Sequence, residues 1–394
     1  MKVLLVIEGT YPWYRGGVSE WIFQYLKHCR SFEFSILQIA TDNYRPLSLD
    51  SALYPIPENV VDFVRIPPPE FNTNWSNSLL DWYNESSSEF NGLMESHDLI
   101  HATNTGFAGW LSTKLSEESK RPLVLTEHAV YWLEVQKGAV ALECGYEIPD
   151  DGTSKKEIEI LFQDIAAEVY EKADYIMTVS ETNIPLQKKL GAKSVRYVPN
   201  GVDSSWIIDE KKRTKKPVIG WVGRCAEMKN PLQFFEYVKA FNSEEFEADF
   251  LMLLSGANEE ELENQVRSEA KKHPYVRMVW NMPSREYYPE MDILMITSHN
   301  ESQPLVMFEA LANKVLPSGR KVGDLTDNYG LTFPKSYSLK SIVQHIKQKW
   351  KASTEFEDYV TERYQKVVDE HTWESIFRKY ETLLSDVVLN EVSG

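Results

Sequence analysis

The chain has 394 residues, 42 Lys and Arg against 59 Asp and Glu, a net charge of −17 and 42% hydrophobic residues. This length predicts two to three domains, each able to bury a core, and the composition is that of a soluble globular protein. The acidic balance argues against broad nucleic-acid binding, since a polyanion needs clustered positive charge, but it leaves room for a small phosphorylated ligand in a local basic site.

The elements follow in chain order. Residues Val3 to Ile7 read as a buried strand of the parallel-sheet kind. A loop, Gly16-Gly17 and an apolar-periodic run from Val18 to about Cys29 complete a strand, glycine turn and helix. Residues 32–40 read as the next strand. Residues 43–80, rich in Pro, Asn and Ser, read as a long irregular connection with one strand at 60–66. Strands follow at 98–103 and 122–128. Ile158, Leu161, Phe162, Ile165 and Val169 stand at helical spacing and predict a helix over 155–172. Further strands fall at 174–180 and 194–203, the second ending in a turn.

The charged run 209–217 has no apolar period and reads as an interdomain linker. The pattern then restarts with a strand at 217–223 and a helix opened by Asn230 as N-cap and Pro231 at the first helical position. Strands at 250–256, 276–281 and 292–298 come next, with a polar helix at 258–272. A helix at 304–312, a short strand at 314–318 and a helix at 338–350 follow. Trp373, Ile376, Phe377, Tyr380 and Leu384 mark a last helix. Strands alternating with helices predict an α/β fold of two doubly wound, Rossmann-like parallel sheets. The first domain is expected over 1–205 and the second over 216–369.

Cys29, Cys144 and Cys225 are odd in number and far apart, so neither a disulfide framework nor a CxxC metal pattern is expected, and a reducing compartment fits best. The apolar run before Glu8 is too short for a signal-peptide core, and no stretch approaches the ~18 uncharged residues of a membrane span. A cytoplasmic protein without a transmembrane segment is expected.

Four constellations bear on chemistry. Glu301 and Glu309 stand eight positions apart across the start of a helix at Gln303 or Pro304, just after a buried strand. Ligands of open α/β sheets bind at the carboxyl ends of strands, and a helix N-terminus there suits a phosphate. Glu309, about five residues into the helix, would lie roughly 8 Å along the axis, a span a nucleotide diphosphate covers. Two surface carboxylates flanking an amphipathic helix would show the same spacing. Arg224 and Lys229 lie in the loop after the 217–223 strand and suit a phosphate as fork and point charge, or are solvated surface cations. His128 closes Thr126-Glu127-His128 after a strand, placed to contact substrate or to hold a proton, or else structural, and His101 is a weaker case of the same kind. Gly16-Gly17 before a helix lets a phosphate approach, or is only a tight turn.

In series these residues resemble the retaining glycosyltransferases of family 4, with the GT-B fold of two Rossmann-like domains facing a central cleft. The resemblance rests on Gly16-Gly17-Val18, Thr126-Glu127-His128, Val179-Ser180-Glu181, Val198 through Asp203, Gly223-Arg224 with Lys229-Asn230-Pro231, and Ser298 with Glu301 and Glu309-Ala310-Leu311-Ala312. The segment from Thr126 to Trp132 also looks like the PelF-like branch.

The resemblance implies a nucleotide-sugar donor, a UDP-sugar in preference to a GDP-sugar, bound as substrate with no resident cofactor and no metal. Arg224 and Lys229 would bind its diphosphate, and Glu309 its ribose. Glu301 would sit near the sugar, with the backbone of Ser302, Gln303, Pro304 and Leu305 near sugar and phosphate. His128 would reach the sugar from the first domain, and Gly16 and Gly17 would lie beside the phosphates. His128, Arg224, Lys229 and Glu301 form the implied catalytic set, and a C-terminal helix over 370–394 would pack back on the first domain. The acceptor would be a glycan, a lipid-linked or another hydroxyl compound, reached near the inner face of the membrane with peripheral contact at most. Two departures stand out: Asn313-Lys314-Val315-Leu316 follows the last motif where relatives carry a small residue, Gly, a variable residue and Pro, and Gly323-Asp324 stands for a Gly-Gly pair. These departures leave open a catalytically weak homologue acting as a sugar-nucleotide-binding partner subunit, and the fold leaves open a sugar-nucleotide epimerase.

Overall fold

Thirteen strands among the described residues form two all-parallel sheets. The computed structural model describes residues 1–41, 44–45, 47–70, 75–94, 96–137, 153–213, 215–257 and 259–392. Cys144 lies outside them. The chain divides into two compact units, Met1–Pro199 with Ile376–Gly394, and Asn200–Ser375.

The first unit holds β1 (Lys2–Gly9), β2 (Glu33–Ala40), β3 (Val60–Ile66), β4 (Leu99–Ala102), β5 (Leu123–Glu127), β6 (Tyr175–Thr178) and β7 (Arg196–Tyr197), ordered 3-2-1-4-5-6-7. The second holds β8 (Val218–Arg224), β9 (Asp249–Ser255), β10 (Val276–Trp280), β11 (Ile293–Ile296), β12 (Leu316–Arg320) and β13 (Leu331–Phe333), ordered 10-9-8-11-12-13. Each order reverses once, between β1 and β4 and between β8 and β11. Those reversals open crevices at the carboxyl ends of the strands, where doubly wound sheets take ligands.

The central strands are apolar on both faces because helices cover both sides. Val3 through Ile7 are all buried, as are Ile293 through Ile296. Full burial of each such side chain is worth about 1.5–3 kcal/mol.

The helix Trp373–Val392 contributes Phe377 and Tyr380 to the first unit's core. Phe377 stacks on Tyr25 at 5.4 Å between ring centroids, and Tyr380 meets Trp21 edge-on at 5.6 Å. His101 sits among these rings. Its Nδ1 shares a hydrogen bond of 2.9 Å with Tyr25 Oη and its Nε2 one of 2.8 Å with Thr126 Oγ1. Burial, aided by nearby His128, pushes its pKa down to about 3. With both ring nitrogens engaged inside the core, His101 is a packing residue, not the substrate contact its strand-end position suggested.

Three local features differ from the sequence reading. The helix Trp75–Met94 begins inside the stretch 43–80 read as irregular and continues well past it. Asn230 is not a helix cap; it takes a left-handed conformation, φ +50°, closing the turn Glu227–Lys229, and Pro231 caps the helix Leu232–Ser243 instead. The charged run at 209–217 lies within the second unit and anchors to it. Lys211 Nζ donates to the carbonyls of Met291 and Asn313, and Arg213 faces Asp292 at 3.9 Å and the Phe356 ring at 4.4 Å. Long basic side chains can lie on apolar surface while their heads reach carbonyls. Burial accordingly pulls the Lys211 pKa down to about 8.

Candidate functional site

The carboxyl edge of the second sheet gathers two loops. One runs from the end of β8 through Arg224 and the turn Glu227–Lys229. The other runs from the end of β11 through Ser298 and Glu301 to the helix Leu305–Ala312. Thr297 ties them together: its Oγ1 donates to the carbonyls of Lys229 and Asn230 at 2.8 and 2.9 Å and accepts from Trp221 Nε1 at 2.8 Å. The His299 N–H donates to the Met228 carbonyl at 2.9 Å. A buried, fully used hydroxyl of this kind fixes register between loops.

Across that junction Lys229 Nζ pairs with Glu301 Oε1, which also accepts from Ser298 Oγ at 2.8 Å. The two side chains are only 22% and 11% exposed. Pro304 caps the following helix without a side-chain hydrogen bond, so the N–H groups of Leu305 and Val306 open an uncapped first turn with its positive dipole end. One turn further, Glu309 accepts a hydrogen bond of 2.7 Å on Oε2 from Tyr288 Oη. No group of three or more His, Cys, Asp or Glu that could hold a metal occurs among the described residues.

The loop 301–304 is shaped from below. Gln303 turns its side chain inward: Oε1 accepts from the Asn200 N–H at 2.6 Å and Nε2 donates to Asp324 Oδ2 at 2.7 Å. Both Gln303 and Asp324 are buried. The Asp324 N–H donates to the Ser302 carbonyl at 2.9 Å. Gly323 takes φ +50°, and a Cβ there would come within 2.2 Å of the Ser302 carbonyl oxygen. Only glycine fits so tight a left-handed turn. Lys314 is engaged elsewhere, with Nζ on the Asp209 carbonyl and 4.6 Å from the Tyr364 ring centroid.

On the first unit, Gly16 opens the helix Gly17–His28, and a Cβ on it would meet nothing within 4 Å. His128 follows β5 and meets Trp21 edge-on at 4.6 Å. Its Nε2 is buried without a hydrogen-bond partner, and burial pushes its pKa down to about 3. Glu127 beside it is buried and accepts from Thr105 Oγ1 at 2.5 Å, Tyr170 Oη at 2.6 Å and Gln187 Nε2 at 2.7 Å. Burial raises the Glu127 pKa, and these donors oppose the rise.

Comparison with known proteins bears on both units. Residues 203–322 match the family described as glycosyl transferases group 1, and residues 1–88 and 90–195 match a domain of unknown function, DUF3492. No curated protein sequence matches the chain. Among solved structures, sucrose-phosphate synthase from Thermosynechococcus elongatus is similar at a TM-score of 0.71 and 15% identity, covering 99% of each chain. HepE from Anabaena, solved in complex with UDP, is similar at 0.70 and 13% identity, covering 98% of this chain and 100% of its own. The lipopolysaccharide outer core galactosyltransferase WaaB gives 0.67 and 12%, covering 98% and 99%.

The chain has the GT-B fold. In this GT-B chain the sequence-predicted residues fall into two groups. Arg224, Lys229, Glu301, Ser302, Gln303, Pro304, Leu305 and Glu309 lie on the second unit, and Gly16, Gly17 and His128 on the first. Lys229 and Glu301, 72 positions apart, are in direct contact. Sequence reasoning missed Tyr288 and Thr297, which sit on a short turn and at a strand end where no periodicity marks them. It also missed that the Gln303 side chain points into the protein.

Proposed function

We propose that this chain is a retaining glycosyltransferase that moves a sugar from a nucleotide-diphosphate sugar, a UDP-sugar in preference to a GDP-sugar, to a hydroxyl of a glycan or lipid-linked acceptor. The observation that carries this reading is the contact of Lys229 with Glu301 beside the uncapped helix start at Leu305, with Glu309 one turn on. The match of residues 203–322 to group 1 glycosyl transferases supports it, as does the UDP bound to HepE.

In this reading Arg224 and Lys229 neutralise the diphosphate, and the first turn of the helix adds N–H groups. Negative charge develops on the leaving diphosphate, and fixed cations with a helix dipole stabilise it as it forms. With that charge met by side chains, transfer proceeds without a metal. Glu301 orients the sugar and Glu309 the ribose. His128 is assigned to contact substrate through Nε2. The leaving phosphate helps take the proton of the acceptor hydroxyl, and no protein nucleophile is assigned.

A thermal-shift panel of UDP-, GDP- and ADP-sugars tests the reading. A ligand that binds only the folded state raises its stability by mass action. Selective stabilisation by UDP-sugars, followed by transfer to an added acceptor, is the expected result. Conversion of the sugar nucleotide without acceptor would instead identify an epimerase, and no stabilisation by any of the three would overturn the proposal.

A further inference from the structure

Tyr288 lies in the second unit, has no part in the chemistry above, and touches Glu309, which that chemistry needs. It opens the turn Tyr288–Glu290 ahead of β11 and is fully buried in an apolar cluster with Leu251, Leu253, Met307 and Phe308. Trp206 covers it at 5.7 Å between ring centroids. The phenol hydroxyl donates to Glu309 Oε2 at 2.7 Å. Burial, reinforced by the Glu309 charge, pushes the Tyr288 pKa well above its ordinary value, so the proton stays and the hydroxyl acts only as a donor.

A phenol has one proton to give. Spent on Oε2, it fixes the rotation of the carboxylate, whose terminal torsion is otherwise broad. A carboxylate so oriented presents one plane to a ligand and is suited to two adjacent hydroxyls.

We propose that Tyr288 is a positioning residue, holding the Glu309 carboxylate in the orientation that accepts both hydroxyls of a ribose. The proposal rests on the assignment of Glu309 to the nucleotide ribose. It makes the site selective for ribonucleotides over deoxyribonucleotides, whatever the base.

The experiment compares UDP, ADP and GDP, each against its 2′,3′-dideoxy form, by calorimetric titration of the full chain. Wild type, Tyr288→Phe, Glu309→Ala and the double variant are titrated. Phenylalanine keeps the ring in its apolar site and removes only the donor. Loss of a hydrogen bond to a charged group predicts about tenfold weaker binding of the ribonucleotide by Tyr288→Phe. Binding of the dideoxy form stays within about twofold, and Tyr288→Phe adds nothing in the Glu309→Ala background. A wild type that does not distinguish ribose from dideoxyribose overturns the assignment of Glu309 and the proposal with it. A wild type that does, with a Phe variant losing both ligands equally or neither, overturns the positioning role alone. The cycle through Glu309→Ala needs folded single and double variants, which circular dichroism verifies.

Discussion

Glu301→Gln separates binding from turnover at the ion pair. Lys229 and Glu301 meet with side chains 22% and 11% exposed, so an intermediate effective dielectric applies. At an effective dielectric of about 20, unit charges about 4 Å apart attract by ~4 kcal/mol. Desolvation and the residual solvent contact cut the net worth of such a pair to about 1–2 kcal/mol. A diphosphate that takes Lys229 must replace this attraction and then meets the carboxylate charge beside it. Replacing Glu301 by its neutral isostere removes both obstacles, so inorganic diphosphate and UDP bind about tenfold tighter. Sugar transfer falls by about 100-fold, the scale of one lost transition-state contact. Calorimetric titration at fixed ionic strength reads the first effect, and turnover of the UDP-sugar reads the second. Unchanged or weaker diphosphate binding by Glu301→Gln would refute the reasoning, because it would mean that Lys229 needs its partner in order to hold phosphate.

Three further outcomes are expected. Lys229→Ala and Glu309→Ala each lower transfer by over ~100-fold in steady-state assays, and near-normal turnover in both would sink the site assignment. Gly323→Ala places a Cβ against the Ser302 carbonyl at a left-handed φ, so urea denaturation shows a loss of about 2–4 kcal/mol together with weakened donor binding. His101 and His128 have pKa values pushed down to about 3, against about 6.5 when unfolded. Between those values the unfolded chain binds the extra protons, so stability is full above about pH 6.5 and falls with acidity by about 1.4 kcal/mol per pH unit for each histidine. Denaturation midpoints from pH 7 to pH 5 should show this slope, and replacing His101 by Gln should reduce it.

The buried parallel strands were legible because helices on both faces leave continuous apolar runs such as Val3 to Ile7. The helix Trp75–Met94 was not, because Ser and Asn fill it, although Leu79 and Phe90 still reach the core. A charged run without apolar period looked like a linker. Its long basic side chains instead found buried carbonyls and Asp292, which no periodicity reports. At the site, Lys229, Glu301 and Glu309 were visible as residue types at a spacing. The contacts of Lys229 with Glu301 and of Tyr288 with Glu309 were not, because in each the partner comes from a distant segment. Asp324 looked like a defect in a motif, whereas its carboxylate receives the Gln303 amide and its N–H holds the Ser302 carbonyl.

The aromatic contacts of the last helix have a consequence for biosynthesis. Trp21 and Tyr25 are made early, yet Phe377 and Tyr380, which cover them, come after the whole of the second unit. At about 5–20 residues per second, the roughly 180 residues in between take about 10–35 s to emerge. During that interval the first sheet stands with an open aromatic face. The nascent chain is therefore most exposed to aggregation and proteolysis while the second unit is being made. Emergence of the helix Trp373–Val392, more than formation of either sheet, is the event that closes the first core.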